Sequence, residues 1–375
     1  MFSSSPAPTT RFFITAGDPS GDSHAARLMA EIRLRIPDAV FEGFGGPAME
    51  QQGIRSLASL QDVAVTGFWE VAKRYGALKG LLNRCRELLS QRRYAAFIPV
   101  DYPGFNLRLA PAAQQSATPV IWYIAPQLWA WGADRAKKLA AAVNMLMVVF
   151  PFETEFFAKY GIRTSYVCHP LLDDDTFRSV PHHDSRSVVL LPGSRAQELT
   201  RHVPLLAHLT EHLLRSNRVS EVVVPSLPHL PPSMYLPLQH AGAVCTEHSR
   251  AAMLGAGAGL VKAGTSTLEA ALLGLPFATF YRTSWLSYVV SKRLVTVPTV
   301  TMANLLLQRP AYREYLQSDA TVENLTQEVE NLLDNQQRRA EILTTTMELR
   351  ELLGGSGAAG RAADVVAEMA IRRQS

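Results

Sequence analysis

Residues Ala258–Arg282 read AGLVKAGTSTLEAALLGLPFATFYR. A short apolar strand (Leu260, Val261) runs into a turn of small residues, Ala263 and Gly264. Three hydroxyl residues follow (Thr265, Ser266, Thr267), then Glu269 inside the first turns of a helix, and a Gly-Leu-Pro stop at Gly274–Pro276. The unpaired N–H groups of such a helix start carry partial positive charge, which suits a diphosphate. Glu269, about one turn further in, stands where a carboxylate can accept hydrogen bonds from sugar hydroxyls. Strand, glycine turn and helix also make the ordinary βα joint of any α/β domain, with Thr or Ser as the cap. The stretch alone does not separate the two readings.

Outward from that joint, strand-like runs alternate with helical ones, which predicts parallel sheets covered by helices. In the first half, strands are expected near Phe12–Ala16, Ala39–Glu42, Ala95–Val100, Val120–Ile124 and Met145–Val149. The polar stretch Arg178–Arg186 reads as a linker. Further strands are expected near Val188–Leu191, Val222–Pro225, Ala243–Cys245, Gly259–Val261 and Phe277–Tyr281, with helices dominating after Thr321. The expected organisation is α/β with two Rossmann-like domains, 1–177 and 178–353. A last helical segment, 354–375, follows the glycine run Gly354–Gly357. It packs back on its own first domain or on a neighbour's, so a homodimer stays open. Two such domains facing each other place a ligand cleft at the carboxyl ends of both sets of strands.

The 375 residues are enough for two domains, and 47% hydrophobic with 19% charged residues is a globular composition. No apolar run approaches the roughly 20 residues of a membrane-spanning helix. The opening MFSSSPAPTTR lacks the apolar core of a signal peptide. Cys85, Cys168 and Cys245 are scattered without metal-ligand spacing, as in a reducing cytoplasm. The net charge of +4 favours anionic partners. No basic stripe interleaved with aromatics appears, so nucleic acid is not an expected partner.

Four further stretches bear chemistry. The first strand ends in Ala16-Gly17-Asp18-Pro19-Ser20-Gly21-Asp22-Ser23-His24; its acids suit sugar hydroxyls better than a phosphate, unless Ser20 or Asp22 only caps the helix. In Val100-Asp101-Tyr102-Pro103-Gly104-Phe105-Asn106 an aspartate ends a buried strand, where a carboxylate can take a proton from an attacking hydroxyl or can simply form a turn. Leu191-Pro192-Gly193-Ser194-Arg195 adds a cation able to pair with a diphosphate, with Glu198 able to steady it. Thr66–Arg93 mixes Phe68, Trp69 and other large apolar residues with Lys73, Arg74 and Lys79. Such a helix lies on an anionic membrane or turns its apolar face to the core. Asp173-Asp174-Asp175 and His182-His183 are weak metal candidates, and no metal or other cofactor is expected.

Together these pieces resemble the lipid-A-disaccharide synthases, a family of inverting glycosyltransferases of Gram-negative bacteria. The resemblance runs in order through AGDPSGD (Ala16–Asp22), FGGPAMEQQGI (Phe44–Ile54), VTGFWEV (Val65–Val71), VDYPGFNLRLA (Val100–Ala110), PQLWAW (Pro126–Trp131), FPFETEFF (Phe150–Phe157), LLPGSRAQE (Leu190–Glu198), GTSTLEAALLGLP (Gly264–Pro276) and SKRLVTVPTVTMANLL (Ser291–Leu306). It implies a GT-B fold and transfer from UDP-2,3-diacylglucosamine to 2,3-diacylglucosamine 1-phosphate (lipid X). It also implies a cytoplasmic enzyme, peripheral on the anionic inner face of the inner membrane. Asp101 matches the family's candidate base, Arg195 a donor-site arginine, Glu269 the ribose-binding glutamate and Asn304 an asparagine near the UDP. The expected UDP site is Gly193, Ser194, Arg195, Gly264, Thr265, Ser266, Thr267, Glu269 and Asn304. Asp18, Ser20, Asp22 and Asn106 are acceptor candidates. Phe68, Trp69, Lys73, Arg74 and Lys79 are membrane-contact candidates. The chain departs from the family pattern at Asp18 (usually Glu), Gly104 (often Asp), Gly132 (commonly Arg) and Cys168 (usually Gly). Other GT-B enzymes, such as a UDP-GlcNAc 2-epimerase or a peptidoglycan glycosyltransferase, share the Gly264–Glu269 grip, and a non-catalytic nucleotide binder is a rival of another class.

Overall fold

The computed structural model describes residues 9–59, 68–132, 135–177, 185–283 and 298–374. The chain divides into two compact units, Met1–Asp173 with Leu353–Ser375, and Asp174–Leu352. Each is organised on one parallel sheet. The first contains β1 (Arg11–Ala16), β2 (Val40–Gly45), β3 (Arg55–Ser59), β4 (Ala96–Val100), β5 (Ile121–Tyr123), β6 (Met145–Val148) and β7 (Thr164–Tyr166), in the order β3-β2-β1-β4-β5-β6-β7. The second contains β8 (Ser187–Leu191), β9 (Glu221–Pro225), β10 (Val244–Thr246), β11 (Ala258–Lys262), β12 (Phe277–Tyr281) and β13 (Glu314–Leu316), in the order β10-β9-β8-β11-β12-β13.

In each sheet the order reverses beside the unit's first strand, between β1 and β4 and between β8 and β11. Loops leaving neighbouring strands diverge there, which opens a crevice for a ligand at the carboxyl ends. The register pairs Ala16 with Val100 and Leu191 with Val261, so the two strand ends at each reversal lie side by side.

The central strands are apolar almost throughout because helices cover both faces. Phe12, Phe13 and Ile14, and likewise Val188, Val189 and Leu190, expose no surface. Phe13 meets Tyr94 and Phe97 edge-on, with ring centroids 5.2 and 5.8 Å apart. Pro99 stands inside central β4. Phe97 and Asp101 donate their N–H groups toward the β5 side, to Pro119 O (2.8 Å) and Tyr123 O (3.0 Å). Pro99 falls midway between them and has no N–H to give, which explains how sparse the β4–β5 ladder is. In the second unit the helix Ala196–Arg215 buries Leu199, Val203, Leu206, Leu209 and Leu213 at spacings of three and four. Each such side chain contributes about 1.5–3 kcal/mol.

Every strand expected from the sequence is present. Three more, β3, β7 and β13, lie at sheet edges and keep most of their side chains partly or fully exposed. The helix Ala358–Gln374 belongs to the first unit. Asp173 caps it, accepting the N–H groups of Gly357 (2.5 Å), Ala358 (2.9 Å) and Ala359 (2.9 Å). Its buried alanines, Ala358, Ala359, Ala362, Ala363, Ala367 and Ala370, allow close approach to the rest of the unit. Arg35, at the end of the helix Pro19–Arg35, binds Asp364 at 2.5 Å.

The helix Phe68–Ser90 carries the membrane-contact candidates. The side chains of Phe68, Trp69, Lys73 and Arg74 lie outside the described residues, as do Thr66, His182, His183 and residues 178–184 of the expected linker. From Leu78 onward the core-facing reading holds: Leu78, Leu81, Leu82, Cys85, Leu88 and Leu89 pack on the first unit's core, and Lys79 is exposed. Among the described residues no helix is long and apolar enough to cross a membrane.

Candidate active site

In the first unit, Asp101 is the residue just past β4. It and Tyr102 both adopt left-handed backbone, with φ of 43° and 50°. For residues with side chains this costs about 1–2 kcal/mol each, so the turn persists only where its surroundings hold it. Asn106 supplies one hold. It is buried, its Nδ2 donates to Asp101 O (2.8 Å), and its Oδ1 accepts from Thr15 Oγ1 (2.9 Å), which ties the turn to β1. Gly17 supplies another, because a β-carbon there would lie 2.2 Å from Tyr102 Cγ. Only glycine leaves room for that ring. Burial pushes the Asp101 carboxyl up to about 7; the charge of Asp18 adds to the rise and the Tyr102 N–H opposes it.

The other expected acceptor residues separate. Asp18 caps the helix Pro19–Arg35, accepting from Gly21 N (2.7 Å). Ser20 Oγ is exposed, 3.2 Å from His24 Nε2. Asp22 departs from the expectation of a sugar contact. It is buried, and its carboxylate accepts the N–H groups of Gly46 (2.8 Å), Ala48 (2.9 Å) and Met49 (3.1 Å), capping the short helix Pro47–Gln51. Asn106 likewise holds framework rather than pointing a free amide outward. Glu153 was missed from sequence. It is fully buried, with Oε1 accepting from Trp129 Nε1 (2.9 Å) and Oε2 from the N–H groups of Val149 and Phe150 (both 3.1 Å). Burial pushes its carboxyl up to about 7, the three donors oppose this, and the charge of Asp101 adds to it. Trp129, Phe150 and Phe152 pack edge-on or stacked around it, and His169 follows against Phe150 at 5.2 Å. Burial holds the His169 imidazole down at about 3, with His24 adding to the effect. Cys168 has a φ of 67°, left-handed backbone that the family's usual glycine adopts freely.

In the second unit, two loops leave β8 and β11 at the reversal of strand order. Gly193, Ser194 and Arg195 follow β8, and Ser194 N (2.9 Å) and Arg195 N (3.3 Å) both donate to Glu198 Oε2. Glu198 does hold Arg195, as expected, through the Arg195 N–H and through its largely exposed head group at 3.9 Å. Glu198 Oε1 also pairs more closely with Lys262, at 2.9 Å. Burial works against the Glu198 charge, yet Lys262 and the Ser194 N–H hold its carboxyl below the usual range. Lys262 ends β11, so this ion pair cross-links the two loops; the sequence reading passed over it. His202, also missed, is buried beneath them. With Nδ1 protonated it donates to Pro192 O (2.6 Å), and Nε2 accepts from Arg282 N (3.1 Å).

Gly264 has a φ of 140°, open only to glycine, and starts the helix Thr265–Leu272. No side chain caps that helix. Thr267 Oγ1 donates to Gly264 O (2.7 Å) and accepts from Met302 N (3.2 Å), so its hydroxyl is occupied, while Thr265 is exposed and Ser266 half-buried. Glu269 Oε1 accepts from Arg250 Nε at 2.7 Å. Asn304, expected near the nucleotide, is buried with both ends of its amide on Tyr312: Nδ2 donates to the carbonyl (2.7 Å) and Oδ1 accepts the N–H (2.8 Å). Asp173 and Asp174 have separate partners, the final helix and Arg250. Among the described residues no three His, Cys, Asp or Glu side chains gather as a metal site.

Two parallel α/β units, each with its candidate loops at the point where strand order reverses, give the chain the GT-B fold of nucleotide-sugar glycosyltransferases. It superposes on a UDP-N-acetylglucosamine 2-epimerase with a TM-score of 0.60 at 12% identity, over 97% of this chain and 96% of that one. It superposes on a UGT transferase from Siraitia grosvenorii in complex with UDP with a TM-score of 0.57 at 13% identity, over 96% and 100%. A lipid-A-disaccharide synthase of Anaeromyxobacter sp. (strain K) is 35% identical over 376 residues, 96% of this chain and 98% of that protein. The model of the Lipid-A-disaccharide synthetase family matches residues 12–367, and the chain belongs to that family. It is a glycosyltransferase of lipid A biosynthesis, as the ordered motifs implied.

Proposed function

We propose that the enzyme joins UDP-2,3-diacylglucosamine to lipid X by a single inverting displacement, giving the β-1,6-linked tetraacyl disaccharide 1-phosphate and UDP. Asp101 accepts the proton of the acceptor's 6-hydroxyl as that oxygen forms its bond to the donor's anomeric carbon. The bond from that carbon to the diphosphate oxygen breaks, and UDP leaves with the electron pair. Its charge meets the Arg195 side chain, carried on the Gly193–Ser194 turn, and the uncapped helix start at Gly264–Ser266. Glu269 holds the ribose. The reading takes Thr267 and Asn304 as supports of that helix and of the Tyr312 strand approach, and Asp18 and Ser20 as groups near the acceptor.

The observation that carries the reading is Asp101: a carboxylate in a braced left-handed turn at a strand end, titrating near neutrality as a general base should. Peripheral contact with an anionic membrane surface through the first turns of the helix Phe68–Ser90 extends the proposal. Mass analysis of the products from acylated UDP-sugar and lipid X tests it. Tetraacyl disaccharide 1-phosphate and UDP in equal amounts are expected. Equal turnover of the unacylated UDP-sugar, or its conversion to the 2-epimer, would sink the reading in favour of another GT-B activity.

A further inference from the structure

We propose that Arg250 is a positioning residue for the donor, acting through Glu269 and anchored in turn by Asp174. The proposal rests on the reading of Glu269 as the ribose ligand. Arg250 lies in the helix Ser249–Gly255. Its Nε donates to Glu269 Oε1 (2.7 Å) and its Nη1 to Asp174 Oδ2 (2.6 Å). Its guanidinium lies over the Phe177 ring, 5.2 Å from the centroid. Asp174 is itself fixed, accepting the N–H (3.0 Å) and hydroxyl (2.7 Å) of Thr176 through Oδ1. Two segments apart in sequence, Asp174–Phe177 and the helix holding Glu269, thus converge on one side chain.

A planar group with two donors committed and one face stacked has one orientation. It holds a single oxygen of Glu269. The other, Oε2, has no hydrogen bond from protein among the described residues, which leaves it available to a ligand with its direction already set. Two adjacent ribose hydroxyls are the group that such an oxygen fits. The cluster contributes little to folding, because side-chain exposures of 37% for Arg250, 21% for Asp174 and 22% for Glu269 leave the pairs partly solvated. Its effect is expected in binding, where ordering one free side chain costs about two- to tenfold in affinity.

UDP and 2′,3′-dideoxy-UDP, titrated calorimetrically into the full-length enzyme and its variants, form the test. Wild type is expected to prefer UDP by about tenfold. Arg250→Met is expected to bind UDP about five- to tenfold more weakly and the dideoxy compound unchanged, so the preference nearly disappears. Unchanged binding of the dideoxy compound is also the control for folding. Asp174→Asn removes the outer anchor without touching Glu269 and is expected to lose about two- to threefold of the preference. A full wild-type preference in both variants overturns the role of Arg250 while leaving the ribose reading intact. No preference in wild type overturns the ribose reading, and this proposal with it.

Discussion

Asp101→Asn separates the chemistry of the base from its burden on the fold. In the folded chain Asp101 titrates at about 7, against 3.8 for an unperturbed aspartate. That gap is about 3 units, or about 4 kcal/mol at 1.36 kcal/mol per unit. The folded state holds the proton more tightly than the unfolded one, so folding penalises the ionised form. Stability is therefore lost as pH rises from about 4 to about 7, and stays lost above that. Asparagine keeps the size and carries no charge. At pH 8 the variant is expected to be more stable than wild type by about 2–4 kcal/mol, the lower figure allowing for amide hydrogens left unbonded. At pH 4.5 the variant's advantage is smaller than at pH 8 by about 3 kcal/mol. Turnover falls by about two to four orders of magnitude. Urea unfolding followed by tryptophan fluorescence measures the first quantity, since buried Trp122 and Trp129 both report on the unit that holds Asp101. Equal stability at pH 8, or a gap that does not narrow toward pH 4.5, refutes the picture of a carboxylate held against burial. Undiminished turnover removes Asp101 as the base.

Gly17→Ala puts a methyl group where Tyr102 Cγ lies 2.2 Å away; turnover is expected to drop by about a hundredfold with a near-native circular dichroism spectrum, and normal kinetics would show that Tyr102 does not need that space. Lys262→Met leaves Glu198 buried without its closest cation, so urea unfolding should show a loss of about 2–3 kcal/mol. The donor KM should rise more than kcat falls, and an unchanged KM speaks against the cross-link between the two loops. Asp173→Ala strips the cap from the final helix, at a cost of about 1–2 kcal/mol. Amide exchange should quicken across Ala358–Gln374 before it does elsewhere, and uniform exchange would contradict a local role.

The central strands were readable because burial on both faces leaves a continuous apolar run, as in Phe12–Ala16 and Val188–Leu191. Three of the four edge strands were not: Arg55–Ser59, Thr164–Tyr166 and Glu314–Leu316 keep mixed, half-exposed side chains. The same divide runs through the candidate site. Asp101, Gly193 and Gly264 announce themselves because a strand end and a tight turn are local signals. Lys262, Arg250, His202 and Glu153 owe their positions to partners on other elements. Glu198 lies 64 positions before Lys262 in the chain, and Arg282 lies 80 beyond His202. Asp22 misled for the converse reason. A carboxylate near a glycine turn looks available for a ligand, until distant backbone groups such as Gly46 N are found to need it. Asn304, expected only from the family resemblance, is taken up by the backbone of Tyr312.

The capping of the last helix by Asp173 bears on how the molecule is made. The first unit is not a continuous stretch of chain: its final helix leaves the ribosome only after the whole of the second unit. While residues 174–352 are being synthesised, the carboxylate of Asp173 has no N–H groups to receive, and the surface that will take the alanine face of Ala358–Gln374 stands open. The second unit, contiguous from Asp174 to Leu352, can complete its core first. The half that carries Asp101 is therefore the half that matures last, and a chain truncated before residue 353 would carry the base on an unfinished scaffold.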